Sequence, residues 1–203
     1  MTSFPATLVT TPGIRRCNWG LRFNTRMHRS RFSGVTQAVR NQGGEQWYAD
    51  VQLPSMIVAN KQIWMAFLNS LAGTFGYFRM GDPAYTGPRG TAGGTPLVNG
   101  GSQTGNSLIT DGWTAAATFL KGDYFQLGDY LYQANTDTTA DGSGNMTIVF
   151  EPGLRVSPSN NDALTISSPK TLMSLTEDGF TVDETPDGLY DIAFSAVERL
   201  LGS

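Results

Sequence analysis

The sequence predicts a mainly β protein with one flanking α-helix and a small β domain inserted into a larger body. Three observations carry this expectation. Apolar and polar residues alternate in several short runs, as half-buried strands require. Turn formers are dense, with 24 glycines and 10 prolines among 203 residues, which suits many short strands. Only one stretch, near residues 60–73, repeats apolar residues at helical spacing.

The elements are taken in chain order. Residues 21–27 alternate, with Leu21, Phe23, Thr25 and Met27 on one side and Arg22, Asn24 and Arg26 on the other. That pattern predicts a half-buried strand with an arginine-bearing face. Residues 32–39 continue extended, and Asn41, Gln42, Gly43 and Gly44 turn the chain. Trp47, Ala49, Val51 and Leu53 share one face of the next strand, which Pro54 ends. Asn60 is the expected N-cap of the helix. Ile63, Trp64, Phe67, Leu68 and Leu71 form its apolar stripe, and Gly73 stands where a C-terminal glycine belongs. A strand over 74–80 comes next, closed by Gly81, Asp82 and Pro83.

From Ala84 to about Pro96 the composition shifts to glycine and proline, as in a linker or long loop. A second β region then begins at 97–98 and 107–110. In residues 120–155, Tyr124, Gln126, Gly128 and Tyr130 alternate with Phe125, Leu127, Asp129 and Leu131. The cluster Asp141, Gly142, Ser143, Gly144 and Asn145 precedes another β-prone run at 146–150, a hairpin signal. β character resumes at 164–166, 171–175, 180–182 and 190–197. The expected organisation is one body built from residues 1–84 and 161–203, with residues 85–160 inserted as a second β domain.

The net charge of −3 is unevenly spread. No acid precedes Glu45, but seven arginines do: Arg15, Arg16, Arg22, Arg26, Arg29, Arg31 and Arg40. From Thr171 onward seven acids face Arg199 alone. Either the two ends pair, within a subunit or between subunits, or the basic end meets nucleic acid. A compensating acidic tail suits a phosphate site poorly, which favours pairing. Each exposed ion pair contributes only ~0.2–1 kcal/mol, so the charges set register and partner more than stability. The expected interface set is Arg22, Arg26 and Arg29 against Asp183, Glu184 and Asp191.

No catalytic, cofactor or metal residue is expected. Cys17 and His28 are the only thiol and imidazole, and one cysteine excludes an intrachain disulfide or thiolate cluster. Arginines flanking His28 disfavour its protonation. Asp137, Thr139 and Asp141 resemble the start of a calcium loop, yet position 12 is Ile148 where a bidentate glutamate belongs. The glycines at 100–105 lack a following Gly-Lys-Ser/Thr. Asp123 and Asp129 would need a sugar cleft to serve as a glycosidase pair. Trp113, Tyr124, Tyr130 and Tyr132 read as a small β core with solvent-facing tyrosines rather than a sugar-stacking patch. No apolar run is long enough to span a membrane, and the N-terminus lacks a signal-peptide pattern.

Several stretches carry a family resemblance. LRFNTRMHRSRFSGVTQAV with GGEQWYADVQLP resembles the opening of tail proteins of long-tailed bacteriophages. So does IWMAFLNSLAGTFGYFRMGDP, and LKGDYFQLGDYLYQANTDTTADGSGNMTIVFEPGLR resembles the next module of such proteins. The chain resembles distal tail proteins, the ring-forming components of siphophage tail tips, whose base fold related tube and tail-tip proteins share. The resemblance implies a tail-tube-like β-sandwich body with a flanking helix and a peripheral, inserted small β-barrel or sandwich domain. It implies a homohexameric ring joining the tail tube to the tip or baseplate, and contacts with tube and hub or fibre proteins. It also implies DNA in passage through the channel, a virion location after synthesis in the host cytoplasm, and no enzymatic activity. The alternative is a tail-associated module whose inserted domain grips host polysaccharide or a receptor-binding protein. The inserted position departs from the commonest arrangement, in which that domain comes after the body.

Overall fold

The computed structural model describes residues 4–40 and 43–201. The first strand, β1 (Arg16–Arg22), is followed by an arm of two strands, β2 (Thr25–Arg29) and β3 (Thr36–Arg40), and then by β4 (Gln46–Gln52). β4 pairs antiparallel with β1, Trp19 opposite Ala49. Its alternation is as expected: Trp47, Ala49, Val51 and Leu53 are at most 2 % exposed. The expected strand over 21–27 is instead broken. β1 ends at Arg22 and β2 starts at Thr25, and every residue of β2 is exposed rather than half-buried.

Helix α1 (Val58–Ser70) opens earlier than expected. Ile57, not Asn60, occupies the N-cap and offers no side-chain hydrogen bond there. Trp64, Phe67, Leu68 and Leu71 face the core, an i, i+3, i+4, i+7 set. Ile63 lies beside that stripe rather than in it and is 51 % exposed. After the helix, Ala72 and Gly73 take positive φ and the Gly76 N–H bonds the Leu71 carbonyl at 2.7 Å. This turn consumes residues expected to be strand, so β5 is only Phe78–Met80.

The second sheet is built from β6 (Gly94–Val98), β7 (Ser107–Trp113), β9 (Tyr124–Leu127), β10 (Tyr130–Ala134), β12 (Met146–Glu151) and β13 (Leu164–Thr165), beside the short pair β8 (Thr118–Phe119) and β11 (Thr138–Thr139). The order is β13-β9-β10-β12-β7-β6. β6 returns to the β13 segment through Val98 N–H to the Asp162 carbonyl at 2.9 Å, which nearly closes a barrel. The sheet takes in residues beyond 160. The run 124–131 is not one strand: Gly128, at φ +60°, turns it into the β9–β10 hairpin, with Leu127 opposite Tyr130. The Asp141–Asn145 turn joins β11 to β12, and β12 pairs with β10 and β7 instead of β11.

The chain returns to the first sheet as β14 (Thr171–Leu175), β15 (Thr181–Glu184) and β16 (Tyr190–Glu198). Its order is β1-β4-β16-β14-β5, with β15 also on β16. The fold class expected from sequence holds: the described residues are mainly β with a single helix, and the second sheet is barrel-like. α1 covers one face of the first sheet, where Trp64, Phe67, Phe78 and Phe194 pack with Val51, Leu53 and Met173. A separate core fills the barrel around Phe119, Phe125, Tyr132, Ile148 and Phe150. Each fully buried side chain of this size contributes about 1.5–3 kcal/mol.

A third cluster joins the two. Trp19 stacks on Trp47 at 5.6 Å between ring centroids, Trp47 meets Tyr124 edge-on, and Tyr124 meets Tyr85. The Trp47 indole N–H donates to the Leu131 carbonyl of β10 at 2.9 Å.

Candidate functional site

On the face of the first sheet away from α1, β1 carries Arg16, Asn18, Gly20 and Arg22 opposite Gln52, Asp50, Tyr48 and Gln46 of β4. A side chain at position 20 would meet the Tyr48 ring at 2.8 Å. Glycine there lets the ring lie across the sheet, with the Arg22 guanidinium 5.4 Å from its centroid. The Ser195 hydroxyl of β16 donates to Asp50 at 2.7 Å.

The arm projects from the β1 edge. It pairs Arg26 with Val39, Met27 with Ala38 and His28 with Gln37, and all ten strand residues are exposed. The Ser30 side-chain oxygen accepts the N–H groups of Phe32 and Ser33 at 3.3 and 3.2 Å, and Gly34 turns at φ +70°. The tip is therefore organised by its own bonds while presenting Phe32 wholly to solvent, with Met27 71 % and Val35 66 % exposed. An isolated two-stranded hairpin is marginal in water.

The acidic residues gather at the opposite edge. Asp183 of β15 lies directly across from Asp191 of β16, and Glu184 across from Tyr190. Like charges opposite one another destabilise a pair of strands. One carboxylate oxygen of Asp191 is buried with no hydrogen-bond partner. Within one chain, Arg22, Arg26 and Arg29 make no ion pair with Asp183, Glu184 or Asp191 among the described residues. The arm and these acids lie at different edges of the sheet.

The ion pairs that do form include a set outside the residues expected from sequence. Arg40, at the root of the arm, donates from Nε to Glu45 at 3.0 Å and bidentately to Glu151 of β12 at 2.9 and 2.5 Å. Arg155 donates to Glu198 at 3.1 Å and to both the side chain and the carbonyl of Glu45. Glu198 also accepts the Trp47 N–H at 3.2 Å and the Thr171 hydroxyl at 3.1 Å. Glu45 and Glu198 are 1 % exposed. Burial pushes the Glu198 carboxyl up from its ordinary range, opposed by Arg155. Burial acts on Glu45 in the same direction, but hydrogen bonds from backbone N–H groups and Arg40 outweigh it and hold its carboxyl below that range. One local signal pointed here. Glu198 continues the buried phase of Tyr190, Ile192, Phe194 and Ala196, a core position for a charge.

The remaining candidates are accounted for by contacts. Cys17 is half-buried in β1, its thiol pushed up to about 11 by burial and by Asp82 and Asp50, whereas His28 lies exposed on the arm. Asp141 accepts the Ser143 and Asn145 N–H groups, both at 2.8 Å, and Asp137 accepts the Lys121 N–H. Buried Asp123 accepts the N–H groups of Arg89 and Leu120, and Asp129 is bonded to Arg79. Trp113, Tyr124, Tyr130 and Tyr132 are between 1 and 8 % exposed; the tyrosines are interior rather than solvent-facing, because Tyr130 and Tyr132 pack in the barrel core and Tyr124 packs against Trp47 of the first sheet. Among the described residues no group of three or more histidine, cysteine or acidic side chains is arranged to hold a metal ion. No described helix is long and apolar enough to cross a membrane. Comparison with protein families and with curated proteins finds no match.

Proposed function

We propose that the protein is a structural component of a bacteriophage tail tip, a distal tail protein whose copies close head to tail into a hexameric ring. The observation that carries this reading is the placement of charge on one sheet, with a basic, uncovered arm at the β1 edge and the acidic β15–β16 pair at the other. A closed ring uses heterologous contacts, in which one patch meets a different patch on the next copy. Such a contact would cover the arm and relieve the Asp183–Asp191 repulsion. Arg22, Arg26 and Arg29 of one copy face Asp183, Glu184 and Asp191 of the next.

The sequence resemblance supports the same reading and supplies its setting. The ring joins the tail tube to the tip and passes DNA through its channel. The barrel lies at the periphery and meets hub or fibre proteins. The role is one of contact rather than chemistry, in the virion, after synthesis in the host cytoplasm. Among the described residues, no exposed aromatic platform on the barrel favours the polysaccharide-binding alternative.

Native mass spectrometry and negative-stain electron microscopy of the purified chain test the proposal. Six-fold rings that weaken with salt are expected, because exposed ion pairs are screened. A monomer at every concentration up to the millimolar range refutes it.

A further inference from the structure

Beside the acidic edge, the outer face of the first sheet forms an open groove of about 610 Å³ whose walls include Asn18, Asp50, Gln52, Glu177, Phe180 and Thr181. It continues from the acidic pair along the same strands, since Thr181 and Ala193 are cross-strand partners two residues from Asp183 and Asp191. We propose that this groove receives the arm tip of a second copy, with Phe32 seated against Phe180 and Arg31 meeting the acidic wall. The inference rests on the head-to-tail ring for its polarity and adds where the tip ends.

Three features single out this occupant. Phe32 is fully exposed at the end of a hairpin whose turn is already ordered by Ser30, so seating it needs little further ordering. The charges are complementary. Arg26, Arg29 and Arg31 form no ion pair among the described residues, while the groove holds Asp50 and Glu177 against Arg16. Asp178, next to Glu177, is already engaged by Thr74 at 2.7 Å, which leaves Glu177 as the acid of that loop available to an incoming guanidinium. The spacing also fits. Phe32 sits in the tip turn three residues beyond Arg29, so an arm whose Arg29 meets Asp183 and Asp191 carries its tip over the groove.

Gly179 borders the groove and has open space where a side chain would begin, so a cysteine fits there. The test uses Cys17→Ala with Phe32→Cys and Gly179→Cys, oxidised with diamide and run on non-reducing gels. A reducible ladder of covalent oligomers is expected, with neither single-cysteine control rising above dimer. In parallel, Arg31→Glu is expected to weaken assembly at least ten-fold by mass photometry, and Arg31→Glu with Glu177→Arg to restore it. Wild-type rings without a cross-link, and unaffected by Arg31→Glu, overturn the tip–groove contact and leave the ring standing. A ladder that stops at dimer keeps the contact and overturns the ring. A wild-type monomer overturns both.

Discussion

Arg155→Met tests the buried ionic junction most directly. Among the described residues, Arg155 is the sole cation on Glu198 and a second one on Glu45, and its side chain is only 4 % exposed. Breaking a buried pair by removing one partner costs about 3–5 kcal/mol, because the remaining charge is left desolvated. Arg40 still holds Glu45, and the Trp47 N–H and Thr171 hydroxyl still reach Glu198. The loss therefore falls near the lower bound, about 3 kcal/mol, or ~6–12 °C in Tm for a chain of this size. The sign of the pH dependence comes from Glu198, whose folded carboxyl already titrates above its ordinary value. Without Arg155 it rises further, the folded state binds the proton more tightly, and the defect shrinks as pH falls. Adding Glu198→Leu removes the stranded charge and recovers part of the loss. Urea unfolding followed by tryptophan fluorescence, at pH 5 and pH 7.5, measures all of this. A loss below about 1 kcal/mol, or the same loss at both pH values, would refute the reasoning.

Three further outcomes are expected. Trp113→Ala removes a buried ring and its N–H bond to Thr110 at 2.8 Å and costs about 3–5 kcal/mol, read in barrel unfolding by hydrogen exchange; a loss confined to the first sheet would contradict the two-core description. Gly81→Ala would place a Cβ 2.2 Å from the Pro169 carbonyl and costs about 1–3 kcal/mol or more, seen as a lower denaturation midpoint. Glu45 titrates below the usual carboxylate range, so its stabilisation is present above about pH 4.3 and lost as pH falls through the lower folded value. Glu45→Gln should flatten the acid limb of a stability–pH curve, and parallel limbs for variant and wild type would count against it.

What could be read from sequence depended on how far apart the determining residues lie. Trp47 to Leu53 were legible because alternation within one strand reports its own two faces. Residues 21–27 alternate equally well, but no local pattern states that the chain leaves the sheet after Arg22 and that Met27 faces water. Tyr124 to Leu131 failed for the opposite reason: Gly128 fits the alternation, and only its positive φ makes it a turn. Ile63 belonged to a stripe one residue wider than the surface the sheet offers. The junction of Arg40, Glu45, Glu151, Arg155 and Glu198 draws on both halves of the chain and leaves no spacing to detect. The charge imbalance between the chain ends was legible, yet within one chain the two ends occupy opposite edges of one sheet and do not pair.

β5 and β14 are hydrogen-bonded neighbours, Met80 opposite Thr171, and the whole barrel is threaded between them. The chain thus leaves and re-enters the sheet at one rung of a ladder, so a tight turn could bridge Met80 to Thr171 without altering any register of the first sheet. The barrel is in this sense an exchangeable cassette. Lineages could replace or lose it while the first sheet stays intact, provided that any substitute supplies a carbonyl for the Trp47 indole and a cation for Glu198. Those two requirements would be the fingerprint of cassette exchange among related chains.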